Sequence, residues 1–303
     1  MKRMLFIVNP KAGRTTLKNS LTDVIDKFCK AGMEVRIYMT QGPDDAERVA
    51  REEGIEYDLV VCAGGDGTLN NVVTGIMKGE LHVPIGYIPC GSTNDFAKSM
   101  EISDTAVKAA DIIVKDIPFA IDIGLFNNKY FVYVAAFGVF SDVSYNTPQS
   151  MKNMLGHAAY LLQGIKSLVN IPAYHIEVEY DGEKVEGDYI YGMVSNSTSV
   201  GGIRSLVKHG VEFDDGLFEG LLIEKIQNPA DLQRIINSLL LGNTNEKNMV
   251  SFKASHIVFK SWERLPWSLD GEYGGTTETA VITVLNKAVN LLVDNEDIEK
   301  TEA

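Results

Sequence analysis

The segment Tyr57-Asp58-Leu59-Val60-Val61-Cys62-Ala63-Gly64-Gly65-Asp66-Gly67-Thr68-Leu69-Asn70-Asn71 combines an apolar run with three closely spaced glycines. Its apolar run stops at glycines and continues as a helix-compatible sequence, which predicts a strand, a tight turn and a helix start. Three glycines in four positions let backbone amides approach a ligand closely, and a helix N-terminus favours phosphate. The stretch is neither a P-loop, because it lacks the lysine ending, nor a dinucleotide fingerprint, because Asn70 replaces the third glycine.

Asp66 makes this turn unusual. A carboxylate beside a phosphate is repelled unless a cation or a hydrogen-bond donor lies between them, so Asp66 indicates Mg²⁺. The simpler alternative is an ordinary strand-to-helix turn, in which Gly and Asp are common for conformational and capping reasons. The residues of the turn leave both interpretations open.

Similar patterns surround this stretch. Strands are predicted at 4–8, 33–39 and 83–88, and helices at 17–28, 44–53 and 104–114. The carboxyl ends of parallel strands meet at one edge of a sheet. We therefore expect a group of polar residues after these strands to converge: Asn9, Thr40, Asp66, Ser92 and Asp95.

The pattern changes after about residue 120. Short β-rich runs cover 120–138, 174–180, 187–195, 217–224, 251–260 and 280–284, with turn dipeptides such as Asp181-Gly182 between them. Helical spacing interrupts these runs at 151–169 and 230–241, and a packing helix explains the first better than a lipid-facing one. We expect an α/β domain at 1–123, with residues 286–303 packed back on it, and a β domain at 124–285.

Two acidic motifs in the β domain are ambiguous. Asp270-Gly271-Glu272 places two carboxylates around a glycine, so one could accept a proton while the other orients it. An Asp-Gly hairpin turn explains the same residues. In the run from Glu212 to Leu217, Asp215 and nearby carbonyls could hold a hard cation, or could simply form a turn.

Composition narrows the function classes. The 303 residues are 45% hydrophobic, and their net charge of −13 argues against a nucleic-acid partner. No apolar run is long enough to span a membrane, and the N-terminal run is too short for a signal peptide. Three cysteines without metal-ligand spacing fit a reducing compartment, so we expect a cytoplasmic protein.

Five motifs follow one another along the chain: NPKAG at 9–13, GGDGTLN at 64–70, PCGSTNDFA at 89–97, DDGLFEG at 214–220 and LDGEYGG at 269–275. Together they resemble the soluble bacterial diacylglycerol kinase family. GGDGT alone is shared with NAD kinases and 6-phosphofructokinases, whereas GSTNDFA and LDGE make the resemblance specific. It implies an N-terminal Rossmann-like (NAD-kinase-like) α/β nucleotide domain, a C-terminal β-sandwich, and ATP- and Mg²⁺-dependent phosphorylation of a lipid hydroxyl.

The resemblance also implies roles for individual residues. Asp66, Asp95 and Asp122 correspond to an acidic cluster around catalytic Mg²⁺ and its waters, and Glu272 or Asp270 to the proton acceptor. Asp215, with the carbonyls of Glu212 and Leu217, corresponds to a second, structural Mg²⁺ site. Ser92 stands where the family more often has Thr. Because Ser also carries a hydroxyl, the implied contact is retained. The implied ATP contacts are Asn9, Pro10, Lys11, Ala12, Gly13, Thr40, Gly64, Gly65, Asp66, Gly67, Thr68, Leu69, Asn70 and Ser92.

The expected acceptor is the hydroxyl of diacylglycerol, giving phosphatidic acid. A lipid substrate implies peripheral membrane contact, transiently at the inner face of the membrane. The sequence does not decide between a monomer and a homodimer. Other lipid acceptors, namely a sphingoid base, ceramide, phosphatidylglycerol or an isoprenoid alcohol, are alternatives. A NAD kinase is disfavoured because its second recognition segment has no match. A non-catalytic nucleotide-binding regulator is disfavoured because the carboxylates are retained.

Overall fold

The computed structural model describes residues 1–12, 16–138, 172–200, 203–204, 211–226, 228–240, 243–244 and 246–294. Gly13 and the helix predicted at 151–169 lie outside these residues. The chain divides into two compact units, an N-terminal unit of Met1–Ile123 with Asn286–Ala303, and a C-terminal unit of Gly124–Leu285. Within the described ranges, no helix has the length and hydropathy that crossing a membrane requires.

The N-terminal unit alternates strands and helices, as its sequence periodicity predicts. An α/β fold in this part of the chain is therefore confirmed. Its elements are β1 (Lys2–Val8), α1 (Thr16–Lys30), β2 (Met33–Met39), α2 (Asp45–Glu53), a 3₁₀ turn (Gly54–Glu56), β3 (Leu59–Gly64), α3 (Asp66–Lys78), β4 (Ile85–Pro89), α4 (Asp95–Ser99), α5 (Ala106–Lys115) and the first part of β5 (Pro118–Phe126).

The sheet of this unit is parallel, in the order β2-β1-β3-β4. Val8 aligns with Met39 on one side and with Ala63 on the other, and Gly64 aligns with Pro89. The carboxyl ends of all four strands therefore lie at the same edge. Every residue of β3 is buried, which explains its unbroken apolar sequence.

The C-terminal unit is rich in antiparallel β-structure. Its strands follow the order β13-β12-β9-β7-β14-β15, and β8 pairs with both β9 and β14. The elements are β6 (Lys129–Phe131), β7 (Val134–Gly138), β8 (Tyr174–Tyr180), β9 (Glu183–Ser195), β10 (Ser199–Val200), β11 (Ile203–Arg204), β12 (Phe218–Glu224), α6 (Pro229–Leu240), β13 (Met249–Ala254), β14 (His256–Leu269) and β15 (Glu272–Leu292), whose last residues belong to the N-terminal unit.

An aromatic cluster forms part of the core of the C-terminal unit. The rings of Phe126, Phe137 and Phe259 each lie with their centroids 5.0 Å from that of Trp267. Trp267 is buried, and close aromatic packing of this kind adds to the free energy gained by removing apolar surface from water. The cluster fixes β14, and β14 leads directly into the acidic hairpin at 270–272.

The prediction of a short strand at 280–284 is wrong in extent, because β15 has 21 residues. Glycines and polar residues before Ala280 interrupt the alternation of apolar and polar residues that predicts a strand. Antiparallel pairing with β14 nevertheless extends β15 through these positions. The run predicted at 251–260 is likewise two strands, β13 and β14. The Asp181-Gly182 turn is confirmed: both residues have positive φ, at 43° and 92°, and they join β8 to β9.

Candidate active site

Two glycine turns lie against each other at the carboxyl edge of the parallel sheet. A Cβ on Gly65 would lie 3.2 Å from Gly91 Cα, and a Cβ on Gly91 would lie 2.6 Å from Gly65 Cα. Gly64 is restricted too, because a Cβ there would lie 2.3 Å from Thr68 Oγ1. Only glycine allows this backbone approach. Gly65 caps α3 without a side-chain hydrogen bond, which is the arrangement that suits an anion.

Asn9 connects the end of β1 to this turn. Its Nδ2 donates to Thr68 Oγ1 at 3.0 Å, and its Oδ1 accepts the Lys11 amide at 3.0 Å. Its own amide donates to the Ala63 carbonyl at 2.9 Å. Thr40, at the end of β2, is buried and donates its amide to Val8 O at 2.9 Å. The expected convergence of these strand ends is thus confirmed.

Asp66 lies in the first turn of α3, and its carboxylate reaches the start of α4. Oδ2 accepts the Asp95 amide at 3.2 Å, and Oδ1 accepts the Phe96 amide at 3.4 Å. A helix N-terminus attracts negative charge, so these amides stabilise the carboxylate. Asp66 therefore has hydrogen-bond donors from the protein, which was one of the two conditions for placing it beside a phosphate.

The segment after β4 is closed by Asn94. Gly91 N donates to Asn94 Oδ1 at 2.8 Å, and Asn94 Nδ2 donates to Gly91 O at 3.0 Å. Asn94 adopts a positive φ of 50°, which Asn tolerates better than most residues. These two hydrogen bonds close the loop of residues 91–94, in which Ser92 is exposed. Asp95, which follows it, is buried.

The remaining predicted ATP-contacting residues lie at the same edge with mixed exposure. Lys11 is exposed, whereas Thr68 and Leu69 are buried in α3. The other predicted contacts in this group are half-buried: Pro10, Ala12, Gly67 and Asn70. The edge thus offers backbone amides, hydroxyls and amide side chains.

Two buried cysteines lie in the strands that lead to these turns. Burial raises the pKa of both Cys62 and Cys90, the latter to about 11. Both thiols are therefore protonated near neutral pH and cannot act as nucleophiles. Burial also raises the pKa of Tyr87, and its hydroxyl donates to Gly64 O at 3.4 Å. These groups support the turn instead of reacting.

Asp122 is fully buried in β5, and its carboxylate accepts hydrogen bonds from residues of β15. Its Oδ1 accepts Asn286 Nδ2 at 3.0 Å and the Lys287 amide at 2.7 Å. Lys287 has a positive φ of 51°, so this bond fixes an irregular point in the strand. Within the described part of the chain, no three His, Cys, Asp or Glu side chains are grouped closely enough to hold a metal ion.

In the C-terminal unit, Asp270 and Gly271 form the turn between β14 and β15, with φ of 49° and 81°. Asp270 is 5% exposed, and its carboxylate accepts three consecutive amides, from Val132 at 2.7 Å and from Tyr133 and Val134 at 3.0 Å each. The Asp270 amide donates to Val134 O at 2.8 Å. Asp270 therefore fastens the hairpin to the segment before β7.

Glu272 has a different environment from Asp270. It is exposed and stands opposite Leu269 in the first pair of the hairpin. Its position follows from the Asp270 turn, two residues earlier. Of the two carboxylates in this motif, the Glu272 carboxylate is thus the one available to a ligand from solution.

The turn predicted to hold a structural cation contains a lysine contact. Asp215 Oδ1 accepts the Leu217 amide at 2.9 Å, and Asp215 Oδ2 lies 3.7 Å from Lys253 Nζ. Lys253 Nζ also lies 3.1 Å from Oε1 of buried Glu219. Burial raises the Glu219 pKa to about 7, although Lys253 opposes this shift. Glu212 is exposed.

Sequence reasoning missed several of these contacts. The pairing of Glu219 with Lys253 follows from the β12–β13 register, which no local pattern specifies. The amides that bind Asp270 come from residues more than a hundred positions earlier. For Gly91 a signal was present, because it lies three residues after the predicted strand at 83–88 and glycine permits close backbone approach.

Comparisons with known proteins agree over both units. Residues 3–126 match the family model described as diacylglycerol kinase catalytic domain. Residues 134–293 match the one described as YegS C-terminal NAD kinase beta sandwich-like domain. The N-terminal α/β and C-terminal β-rich architecture is therefore shared with these domains.

Full-length relatives and solved structures are also similar. The chain is 34% identical over 305 residues to the diacylglycerol kinase of Bacillus subtilis (strain 168), covering 100% of both chains. It is 34% identical to that of Staphylococcus aureus (strain Newman), covering 99% of this chain and 95% of the relative. A solved structure from Bacillus anthracis str. Sterne, with a provisional diacylglycerol kinase assignment, superimposes with a TM-score of 0.85 at 26% identity, covering 97% and 96%.

Proposed function

The chain belongs to the diacylglycerol kinase family of lipid kinases, and on this premise we propose that it transfers the γ-phosphate of ATP to diacylglycerol. The products would be phosphatidic acid and ADP. The reaction joins the free hydroxyl oxygen of the lipid to the phosphoryl group and releases ADP. The proton of the hydroxyl must leave during this step.

The observation that carries the proposal is the close approach of the Gly65 and Gly91 turns beside the N-terminus of α3, where Gly65 offers no side-chain cap. Phosphoryl transfer needs positioning and charge stabilisation more than covalent chemistry. Backbone amides of glycine-rich turns supply both to a phosphate chain. We assign ATP contacts to Asn9–Ala12, Thr40, Gly64–Asn70 and Ser92, all from the same sheet edge, with Gly13 retained from the sequence.

Mg²⁺ fits this edge best as a hydrated ion. The Asp66 and Asp122 carboxylates already accept backbone amides, and the described residues contain no direct three-ligand cluster. Mg²⁺ commonly keeps several waters and contacts only one or two carboxylates. Asp66, Asp95 and Asp122 would hold it mainly through those waters. When bound, the ion supplies neutralisation of the phosphate charge.

We assign proton removal to Glu272 and a supporting role to Asp270. The Asp270 carboxylate accepts hydrogen bonds from three backbone amides. Protonation of Asp270 would weaken these hydrogen bonds, because it removes the negative charge of the acceptor. The exposed Glu272 carboxylate carries no such constraint. A base must come within hydrogen-bond reach of the hydroxyl it deprotonates. Of the Asp270 and Glu272 carboxylates, that of Glu272 belongs to the exposed residue.

The finer features of the fold belong to the same proposal. We assign a Rossmann-like, NAD-kinase-like nucleotide domain to the N-terminal unit and a lipid-binding β-sandwich to the C-terminal unit. Diacylglycerol resides in a bilayer, so the protein would meet its substrate by peripheral contact at the inner face of the membrane. The second metal position would be Asp215 with the carbonyls of Glu212 and Leu217.

The test is transfer of label from γ-labelled ATP, with Mg²⁺, to lipids in mixed micelles. Separate reactions would offer 1,2-diacylglycerol, ceramide, sphingosine, phosphatidylglycerol and undecaprenol, with NAD⁺ in a parallel tube. Labelled phosphatidic acid as the main product is the expected result. Label in a different lipid would overturn the assigned acceptor, and label in NAD⁺ would overturn the lipid-kinase assignment.

A further inference from the structure

Thr40, one of the assigned ATP contacts, lies at the end of an edge strand. β2 stands at the end of the order β4-β3-β1-β2, so among the described strands it pairs with β1 alone. The Thr40 amide donates to Val8 O of that neighbour at 2.9 Å. The next residues, Gln41 and Gly42, are exposed. The conformation of the chain around Thr40 is therefore set by contacts from outside the sheet.

Asp45, the first residue of α2, makes such contacts on both sides of Thr40. On the C-terminal side, Asp45 Oδ2 accepts the Gln41 amide at 2.9 Å. On the N-terminal side, the Tyr38 hydroxyl lies 3.1 Å from Oδ2 and 3.2 Å from Oδ1 of the same carboxylate. One carboxylate thus holds the two ends of the Thr40 segment, which we define as residues 38–41.

Arg48 fixes the orientation of the Asp45 carboxylate. Its Nη2 donates to Asp45 Oδ1 at 2.6 Å and to Tyr38 Oη at 2.9 Å, and its guanidinium carbon lies 5.9 Å from the centroid of the Tyr38 ring. The Gln41 amide and, after it, the Arg48 guanidinium hold the pKa of Asp45 below its ordinary value. Asp45 is therefore ionised near neutral pH, and three groups donate to its carboxylate.

We propose that Asp45 is a positioning residue for ATP, which keeps the Thr40 segment in the conformation that contacts the nucleotide. This role rests on the proposed function, in which Thr40 contacts ATP. Without Asp45, the segment would have to be ordered when ATP binds, and that ordering costs binding free energy. Asp45 acts through the backbone of Gln41, so its loss removes no group from the chemical step. Such a loss raises the KM for ATP and leaves kcat almost unchanged.

The experiment measures the Kd for ATP with Mg²⁺ by calorimetry without lipid, and the KM for ATP and kcat with diacylglycerol in mixed micelles. The variants are Asp45→Ala and Asp45→Asn, with Asp231→Ala as the matched control. Asp231 also lies in the first turn of a helix, α6, and pairs with an arginine three residues later, Arg234, at 2.5 Å. The side chains of Asp45 and Asp231 are 14% and 19% exposed.

We expect Asp45→Ala to raise the Kd and the KM for ATP about tenfold while kcat stays within about twofold of the wild type. Asp45→Asn keeps an oxygen that can accept the Gln41 amide, so it should recover most of the affinity. Asp231→Ala should bind ATP as the wild type does. An unchanged Kd in Asp45→Ala would overturn the proposal, as would an equal rise in Asp231→Ala.

Urea unfolding of each variant would show that it is folded. If Asp45→Ala does not fold, Asp45→Glu takes its place, because it retains the negative charge at the start of α2 but moves the carboxylate by one methylene from the Gln41 amide. This variant should also bind ATP more weakly than the wild type. An affinity equal to that of the wild type would overturn the proposal.

The calorimetric measurement separates this role from the proposed function. A wild type that binds no ATP would overturn the assigned nucleotide site and the role of Asp45 together. A wild type that binds ATP as tightly as Asp45→Ala does would overturn the role of Asp45 alone. Weaker binding by Asp45→Ala would support that role even if the wild type phosphorylated a lipid other than diacylglycerol.

Discussion

Asp66 Oδ2 accepts a hydrogen bond from the Asp95 backbone amide at 3.2 Å, across 29 positions of sequence. The bond joins the glycine turn after β3 to the first turn of α4. Both segments therefore keep a common geometry, which a phosphate chain bound between their amides would require. Asp66 thus has a structural contact with α4 as well as its proposed role in holding Mg²⁺.

Replacing Asp66 by Ala should reduce both stability and phosphate transfer. The variant loses acceptors for the Asp95 and Phe96 amides, and a lost helix cap of this kind costs about 1 kcal/mol. Urea unfolding and the initial rate of label transfer would measure the two effects. Asp58→Ala is the control, because Asp58 also accepts one amide, that of Arg3, at 2.8 Å. A rate loss no larger than in Asp58→Ala would contradict a role in transfer.

Ala substitutions at the paired glycines should raise the KM for ATP. A Cβ on Gly91 meets the Gly65 backbone at 2.6 Å, so Gly91→Ala must move one turn and should cost about 1–3 kcal/mol in stability. Gly65→Ala, with its contact at 3.2 Å, should be milder. Gly42→Ala serves as the control, because its Cβ position has no described atom within 4 Å apart from those of Gly42 and its two chain neighbours. An unchanged KM for ATP in Gly91→Ala would argue against the assigned phosphate site.

Asp270→Ala should destabilise the protein more than Glu272→Ala. The change leaves three buried amides without their acceptor, and each unsatisfied group costs about 1–3 kcal/mol. Because those losses are not additive, we expect about 2–5 kcal/mol in total. Urea unfolding would measure it. A stability equal to that of Glu272→Ala would show that the amide contacts do not hold the hairpin.

His175 should titrate above its ordinary pKa of 6.5. Its ring nitrogens contact Asp188 Oδ1 at 2.8 Å and Glu186 Oε1 at 3.2 Å, and the Asp188 hydrogen bond is the larger cause of the raised pKa. The stabilising contribution is complete below about pH 6.5 and disappears as pH rises through the higher folded pKa. NMR titration of the His175 ring would measure it. Asp188→Asn should lower the midpoint, and an unchanged midpoint would refute the assigned cause.

Much of the N-terminal unit is predictable from sequence because its elements are encoded locally. Apolar runs that end at glycine or asparagine identify both the strands and the edge to which their ends contribute. The convergence of Asn9 with Thr68 then follows from parallel pairing, as β1 and β3 are neighbours. Turn dipeptides such as Asp181-Gly182 are equally local.

The contacts that distinguish similar carboxylates depend on distant partners. Asp270 and Glu272 look equivalent in sequence, yet only Asp270 receives the three amides of residues 132–134. Asp122 likewise depends on Lys287, 165 positions later. Such partners are set by strand register and positive-φ residues, so local periodicity cannot specify them.

The most direct measurement is the rate at which wild type and Glu272→Gln form phosphatidic acid from diacylglycerol and γ-labelled ATP. We predict labelled phosphatidic acid from the wild type and a rate lower by about 100-fold or more in Glu272→Gln, with unchanged urea stability and KM for ATP. Absence of phosphatidic acid from the wild type, or an equal rate in the variant, would contradict the proposed reaction and its proton acceptor.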